Sequence, residues 1–361
     1  MSNLESDPAE ILECSNGDAG KSPRIEILTP REVPLGGPRA MTVRRTLPSR
    51  KRSLIGAWCF LDHYGPEPVA SSGGMRVPPH PHTGLQTVSW LFEGEIEHRD
   101  SVGSHAIVRP GELNLMTAGR GISHSEVSTP STDVLHGAQL WVALPEGSRK
   151  MAPAFESQAS RRVQLGDAAV QVFMGTLAGL TADATVFSPL LAAQLDLPAG
   201  GVVVLEVDDG FEYGVLVDSG AVGIRGSKAE AASGPAAAGG PGATGGPDAT
   251  TTVQAHELAY LATGCRTLRL EAGDAPVRVL LIGGEPLGES ILMWWNFVGR
   301  SHDEVVGYRA AWQSEAVGVG GPPPPGTEEL FTARVAGATR EHEGAPLPAP
   351  ELPSVRLRPR D

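Results

Sequence analysis

The stretch Pro78–Trp90, PPHPHTGLQTVSW, sets His80 and His82 two residues apart just before a run in which apolar and polar side chains alternate. Alternation with a period of two is the mark of a half-buried strand. Residues i and i+2 of a strand face the same side, so both imidazoles can point into one space. Pro81 lacks a backbone donor and fits a strand start or edge, which sets the pair at a barrel mouth within reach of a small molecule. Downstream, GRGISHSEVS (Gly119–Ser128) holds a second pair of the same spacing, His124 and Glu126. Two neighbouring strands can then offer three imidazoles and one carboxylate to a single point. That donor set suits a divalent transition metal and leaves coordination positions open. Fe(II) is preferred, with Mn, Ni, Cu and Zn remaining candidates on ligand type. A single histidine is more often an ordinary hydrogen-bonded residue; two matched pairs inside one β region favour the metal.

Around this stretch, short alternating segments follow one another between Gly and Pro from RIEILTP to about Pro145, and a second series runs from AVQVFMG to VRVLLIGG. Many short strands at even spacing predict an all-β fold, and the shared rhythm of the two series predicts a duplicated β architecture. The expected division is a disordered tail over 1–22, an N-terminal metal-binding domain over 23–150, a C-terminal domain over 151–315 and a Pro-rich, extended or disordered tail over 316–361. Residues 228–252, rich in Gly, Ala and Pro, read as a flexible insertion that lengthens a hairpin loop. Ser301 followed by Glu304 gives a capping-box start for one helix, Ser301 to about Gln313.

The chain has 361 residues, 45 of them Gly and 31 Pro, with a formal net charge of -13. An acidic surface repels phosphate backbones, so direct nucleic-acid binding is not expected. The basic run Arg44–Arg52 reads as a solvated hairpin or loop rather than a docking patch. Cys14, Cys59 and Cys265 form no paired framework, which fits a reducing compartment. No signal-peptide pattern and no apolar run long enough to span a bilayer is present; a cytoplasmic protein without membrane contact is expected. Nothing demands an oligomer, so a monomer is expected.

The segments HPHTGLQTVSWLFEGEIEHRDSVGSH, RPGELNLMTAGRGISHSE and HGAQLWVALP closely resemble the N-terminal domain of pirins, members of the cupin superfamily. RRTLPSRKRSLIGAWCFLDHYGP and VRVLLIGGEPLGESILMWWNFVGRSHDEVVGYRAAWQ resemble pirins too. The resemblance implies a bicupin: two antiparallel barrels of jelly-roll type packed face to face, with a short C-terminal helix and one non-haem iron in the N-terminal barrel. It places the metal ligands at His80, His82, His124 and Glu126. Where the general cupin pattern has a Glu after the H-x-H pair, this chain has Gln86 and Thr87, a departure that pirins share. The second series has only His256 and no H-x-H pair, so no metal is expected there. His98 and Asp100 can orient a ligand imidazole from behind. Trp90, Phe92, Met116 and Thr117 are candidate pocket walls whose simpler reading is core. Gly119 and Gly121 permit the reversal before His124, and Trp294 and Trp295 anchor the helix.

Two functions follow from the resemblance. One is quercetin 2,3-dioxygenase-like chemistry on a flavonol or related enolic aromatic, with Glu126 as both ligand and candidate base. The other is a redox-dependent regulatory cofactor that acts by protein contact with a transcription factor or metabolic enzyme.

Overall fold

A computed structural model describes residues 25–35, 41–227, 250–323, 325–331 and 344–359. They form two compact units: Arg31–Ser160 with the described residues from Leu287 onward, and Arg161–Pro286 with the described residues before Arg31. Each unit combines a large antiparallel sheet with a small one. In the first, the 7-stranded sheet runs in spatial order Ala154–Ala159, Glu112–Thr117, Leu85–Glu93, Val134–Ala143, Trp58–Pro68, Thr42–Leu47, Arg31–Pro34. Its 4-stranded sheet runs Arg76–His82, Ile122–Ser128, Ile96–Asp100, His105–Val108.

The second unit repeats this topology. Its 7-stranded sheet runs Glu26–Leu28, Leu258–Leu261, Glu212–Ser219, Val277–Gly284, Leu190–Leu197, Ala168–Met174, Arg162–Leu165. Its 4-stranded sheet runs Val202–Glu206, Thr267–Ala272, Ala221–Ser227, Thr251–Gln254. Strand for strand the order matches, except at one edge. There the first unit uses Ala154–Ala159 and the second uses Glu26–Leu28, from the start of the chain.

The units therefore differ from the expected division at 23–150 and 151–315. Residues 26–28 pair within the second unit, while 154–159 and the segment from Leu287 onward belong to the first. Strand edges must find backbone partners, and alternation inside a strand does not say which edge it will meet. Residues 228–249 of the predicted insertion lie outside the described residues, as do 1–22. The strands flanking the insertion, Ala221–Ser227 and Thr251–Gln254, form an antiparallel pair, so it joins the two halves of a hairpin.

The helix runs His302–Trp312 with Ser301 as N-cap, its side chain accepting from the Glu304 amide at 3.3 Å. Glu304 reaches back to the Arg300 amide at 2.8 Å, one residue beyond the usual reciprocal partner, the N-cap amide. Trp294, Trp295, Phe297, Trp312 and Phe331 pack as one cluster around it.

Two expectations need correction. Past the helical turn Gln313–Val317, the described parts of the 316–361 tail form no strand or helix but are packed: Leu347, Ala349, Leu352 and Leu357 join the helix cluster. Leu347 N donates to Pro79 O at 2.8 Å, and Leu347 O accepts from Trp312 Nε1 at 2.7 Å. Pro richness predicted an extended backbone, and the aliphatic residues between the prolines supply the packing. The run Arg44–Arg52 is not wholly solvated either. Arg45 is 2% exposed and grips Asp62 through two bonds of 2.7 and 2.8 Å, with its guanidinium over the Phe60 ring.

Candidate metal centre

The small sheet of the first unit carries the predicted donors on its inner face. His124 sits directly across from His80 in one neighbour and from Asp100 in the other, while Glu126 sits across from His98. Between His124 and Glu126 the pairing with Arg76–His82 shifts by one residue, a bulge at Pro78 and Pro79 that re-aims the strand beside the ligands. Arg76–His82 is an edge strand, as Pro81 requires, although Pro81 lies near its end rather than its start. Gly119 makes the preceding reversal possible: its φ is +53°, and a Cβ there would lie 2.2 Å from Met151 O.

Donor atoms of His80, His82 and His124 lie within 4.8 Å of one another, and those of His98, His124 and Glu126 form an overlapping group of the same size. The ring centroids of His80 and His124 are 4.3 Å apart. All of these side chains are buried. Burial pushes His80 down to about 3 and, joined by the neighbouring His80, holds His82 and His124 well below the ordinary imidazole range. The rings are therefore neutral and able to donate lone pairs.

Hydrogen bonds set which nitrogen is free. His80 Nδ1 donates to Pro78 O at 2.9 Å, which leaves Nε2 as the lone-pair atom. His98 Nε2 donates to Asp100 Oδ2 at 3.2 Å; its Nδ1 then accepts from His124 Nδ1 at 3.4 Å, again freeing Nε2. Asp100 is fixed for this task, since its Oδ1 accepts from the Val102 and Ser104 amides at 3.0 and 2.9 Å. Burial would raise its pKa, but the bonds from His98 and Ser104 outweigh that and lower it.

Nε2 of His80 and of His124 is buried with no hydrogen-bond partner. Neither ring nitrogen of His82 makes a well-formed bond, although the Asn296 backbone lies close enough to offset a little of the burial effect. Orphaned buried nitrogens with lone pairs turned to one point are costly unless something binds them, and a metal ion fits that need. Glu126 accepts from Ser89 Oγ at 3.3 Å; Ser89 also lies 2.9 Å from Gln139 Oε1.

Alternation corrects the pocket walls. Ser89 meets Glu126, so Thr87, Ser89 and Leu91 face the donors, whereas Trp90 and Phe92 lie on the opposite face. Thr117 bonds Gln86 on that opposite face at 2.9 Å, and of the four predicted residues only Met116, paired with Thr87, lines the interior. Sequence reasoning missed Ser89, Asn114, Gln139, Trp141 and Tyr64, which share the inner face of the large sheet. Counting alternate residues on from His80 and His82 would have found Thr87 and Ser89 only through the intervening turn.

Residues 40–142 match the Pirin family and residues 192–318 match the Pirin C-terminal cupin domain. A Pseudomonas aeruginosa protein named as a provisional quercetin 2,3-dioxygenase is 41% identical over 80% of this chain and 84% of its own length. A pirin-like protein of Caulobacter vibrioides is 32% identical over 75% of this chain and 88% of its own. The crystal structure of quercetin 2,3-dioxygenase from Acinetobacter baumannii superposes with a TM-score of 0.76 at 33% identity, covering 92% of this chain and 97% of that one. Two cupin-type barrels of one topology, a histidine-rich centre in the first of them and these matches together establish that the chain belongs to the pirin family.

Proposed function

We propose that the first barrel holds a divalent metal, Fe(II) first among candidates, through His80, His82, His124 and Glu126, and oxidises a flavonol or related enolic aromatic with dioxygen. The observation that carries this reading is the set of buried, unpartnered imidazole nitrogens gathered beside a buried carboxylate. The metal would supply Lewis acidity toward a substrate oxygen and open positions for exchange. Glu126 accepts the proton of the substrate hydroxyl, with Ser89 steadying its Oε1. The pair His98 and Asp100 holds His124 in one tautomer and orientation. The walls exclude bulk water, since every donor is buried. Relatives named for quercetin 2,3-dioxygenase activity support the substrate class.

The test is aerobic consumption of quercetin by iron-loaded protein. Turnover is expected, and it should vanish in His124→Ala. Absence of turnover across a flavonol panel by fully loaded wild type rules the reading out.

A further inference from the structure

One wall of the first barrel faces the donors and carries polar groups that the metal does not use. Across five strands of the large sheet, Arg45, Asp62, Gln139, Ser89 and Asn114 stand in register as one row. Arg45 and Asp62 satisfy each other, and Ser89 reaches Glu126. The rest are unmet. Both side-chain atoms of Asn114, which is 3% exposed, lack partners, as does Gln139 Nε2.

On the same inner face, Trp141 Nε1 and Tyr64 OH are also buried without partners. Trp141 is stacked on Phe60, with centroids 3.9 Å apart, and turns its edge to His82 at 5.1 Å. Position 137 has to be glycine for the phenol to lean in, since a Cβ there would lie 2.9 Å from Tyr64 OH and 2.8 Å from Leu91 Cδ2. Burial, with the nearby charge of Glu126 as the next cause, raises the phenol's pKa and keeps it protonated. In the second unit the matching row is Val172, Ala193, Leu281, Val215 and Ala259, all buried and apolar. The fold itself does not call for polar groups at this level.

We propose that Asn114, Gln139, Trp141 and Tyr64 form the recognition wall for the substrate's oxygen-bearing edge, and that they select a planar aromatic carrying several acceptor oxygens. The chemistry follows from the inventory: two amide NH2 groups, an indole N–H and a phenol O–H donate while Asn114 Oδ1 accepts, so the complementary ligand presents mainly carbonyl or phenolate oxygens, with one hydroxyl hydrogen for Asn114, rather than bare hydrocarbon. This rests on the function proposed above and adds the residues that recognise the substrate.

The experiment is anaerobic titration of metal-loaded protein with quercetin, followed by the flavonol's absorbance, in wild type, Asn114→Leu and Tyr64→Phe, with metal content and ligand-free melting temperature recorded for each. Each variant should weaken binding about tenfold while metal content stays constant and the melting temperature holds or rises, because an unmet buried polar group has been removed. Unchanged binding overturns the proposal. So does a fall in ligand-free melting temperature, which would mean that the protein or an internal water already satisfies these groups. Failure to bind quercetin in wild type overturns it too. Turnover with unaltered binding in the variants removes this inference and leaves the function standing; wall-dependent binding without turnover does the reverse.

Discussion

The two units build one topology from opposite interiors. In the second, the small-sheet strands Val202–Glu206 and Thr267–Ala272 bury Val203, Leu205, Leu268 and Leu270. The equivalent strands of the first, Arg76–His82 and Ile122–Ser128, carry His80, His82, His124 and Glu126. The second barrel gains stability from apolar burial; the first accepts unmet imidazoles, an ion pair and unpaired amides in a place where aliphatic residues would fit. Polar interiors of this kind persist where function requires them.

The contrast can be broken most strongly at the buried ion pair. Arg45→Met leaves Asp62 buried and uncompensated and should cost about 3–5 kcal/mol in denaturant unfolding, whereas Arg45→Met with Asp62→Leu should recover most of that loss. Equal instability in the single and double variants would show that the pair matters for packing rather than charge. Next, Leu270→Ala in the second barrel should cost about 2–5 kcal/mol with metal content intact; loss of metal there would contradict the division of labour. Third, His98→Ala or Asp100→Asn should weaken metal affinity about 10–100-fold by competition with a chelator, with little change in fold by circular dichroism. Affinity equal to wild type would show that His124 is held by its own packing.

The smallest effect concerns the C-terminal segment. Leu347 bonds Pro79 beside the H-x-H pair. The contact braces a ligand-bearing strand from outside residues 192–318, where the C-terminal family match ends. Deleting residues 344–361 should speed metal loss to a chelator several-fold while the sheets persist. An unchanged rate would make the segment a passive cover.

Much of this was legible in the sequence because strand parity is local. The spacing in HPH and HSE placed four side chains on inner faces, and Gly- and Pro-bounded alternation gave the all-β class. What escaped was non-local. Whether Trp90 or Ser89 faces the metal depends on which side of its strand meets the small sheet, and the row from Arg45 to Asn114 exists only through the register of five strands. The exchange of edge strands at 26–28 and 154–159 likewise depends on pairings far apart in the chain. The tail misled because prolines mark extended chain but do not reveal whether Leu347 or Leu357 will find a surface to cover.

The most direct test of the central claim is metal analysis of purified protein after reconstitution with Fe(II) under anaerobic conditions, for wild type and for His80→Ala with His124→Ala. One metal per chain in wild type and none in the double variant is the expected result. Equal metal content in both, or none taken up by a folded wild type, would contradict the assignment of the first barrel as a metal centre.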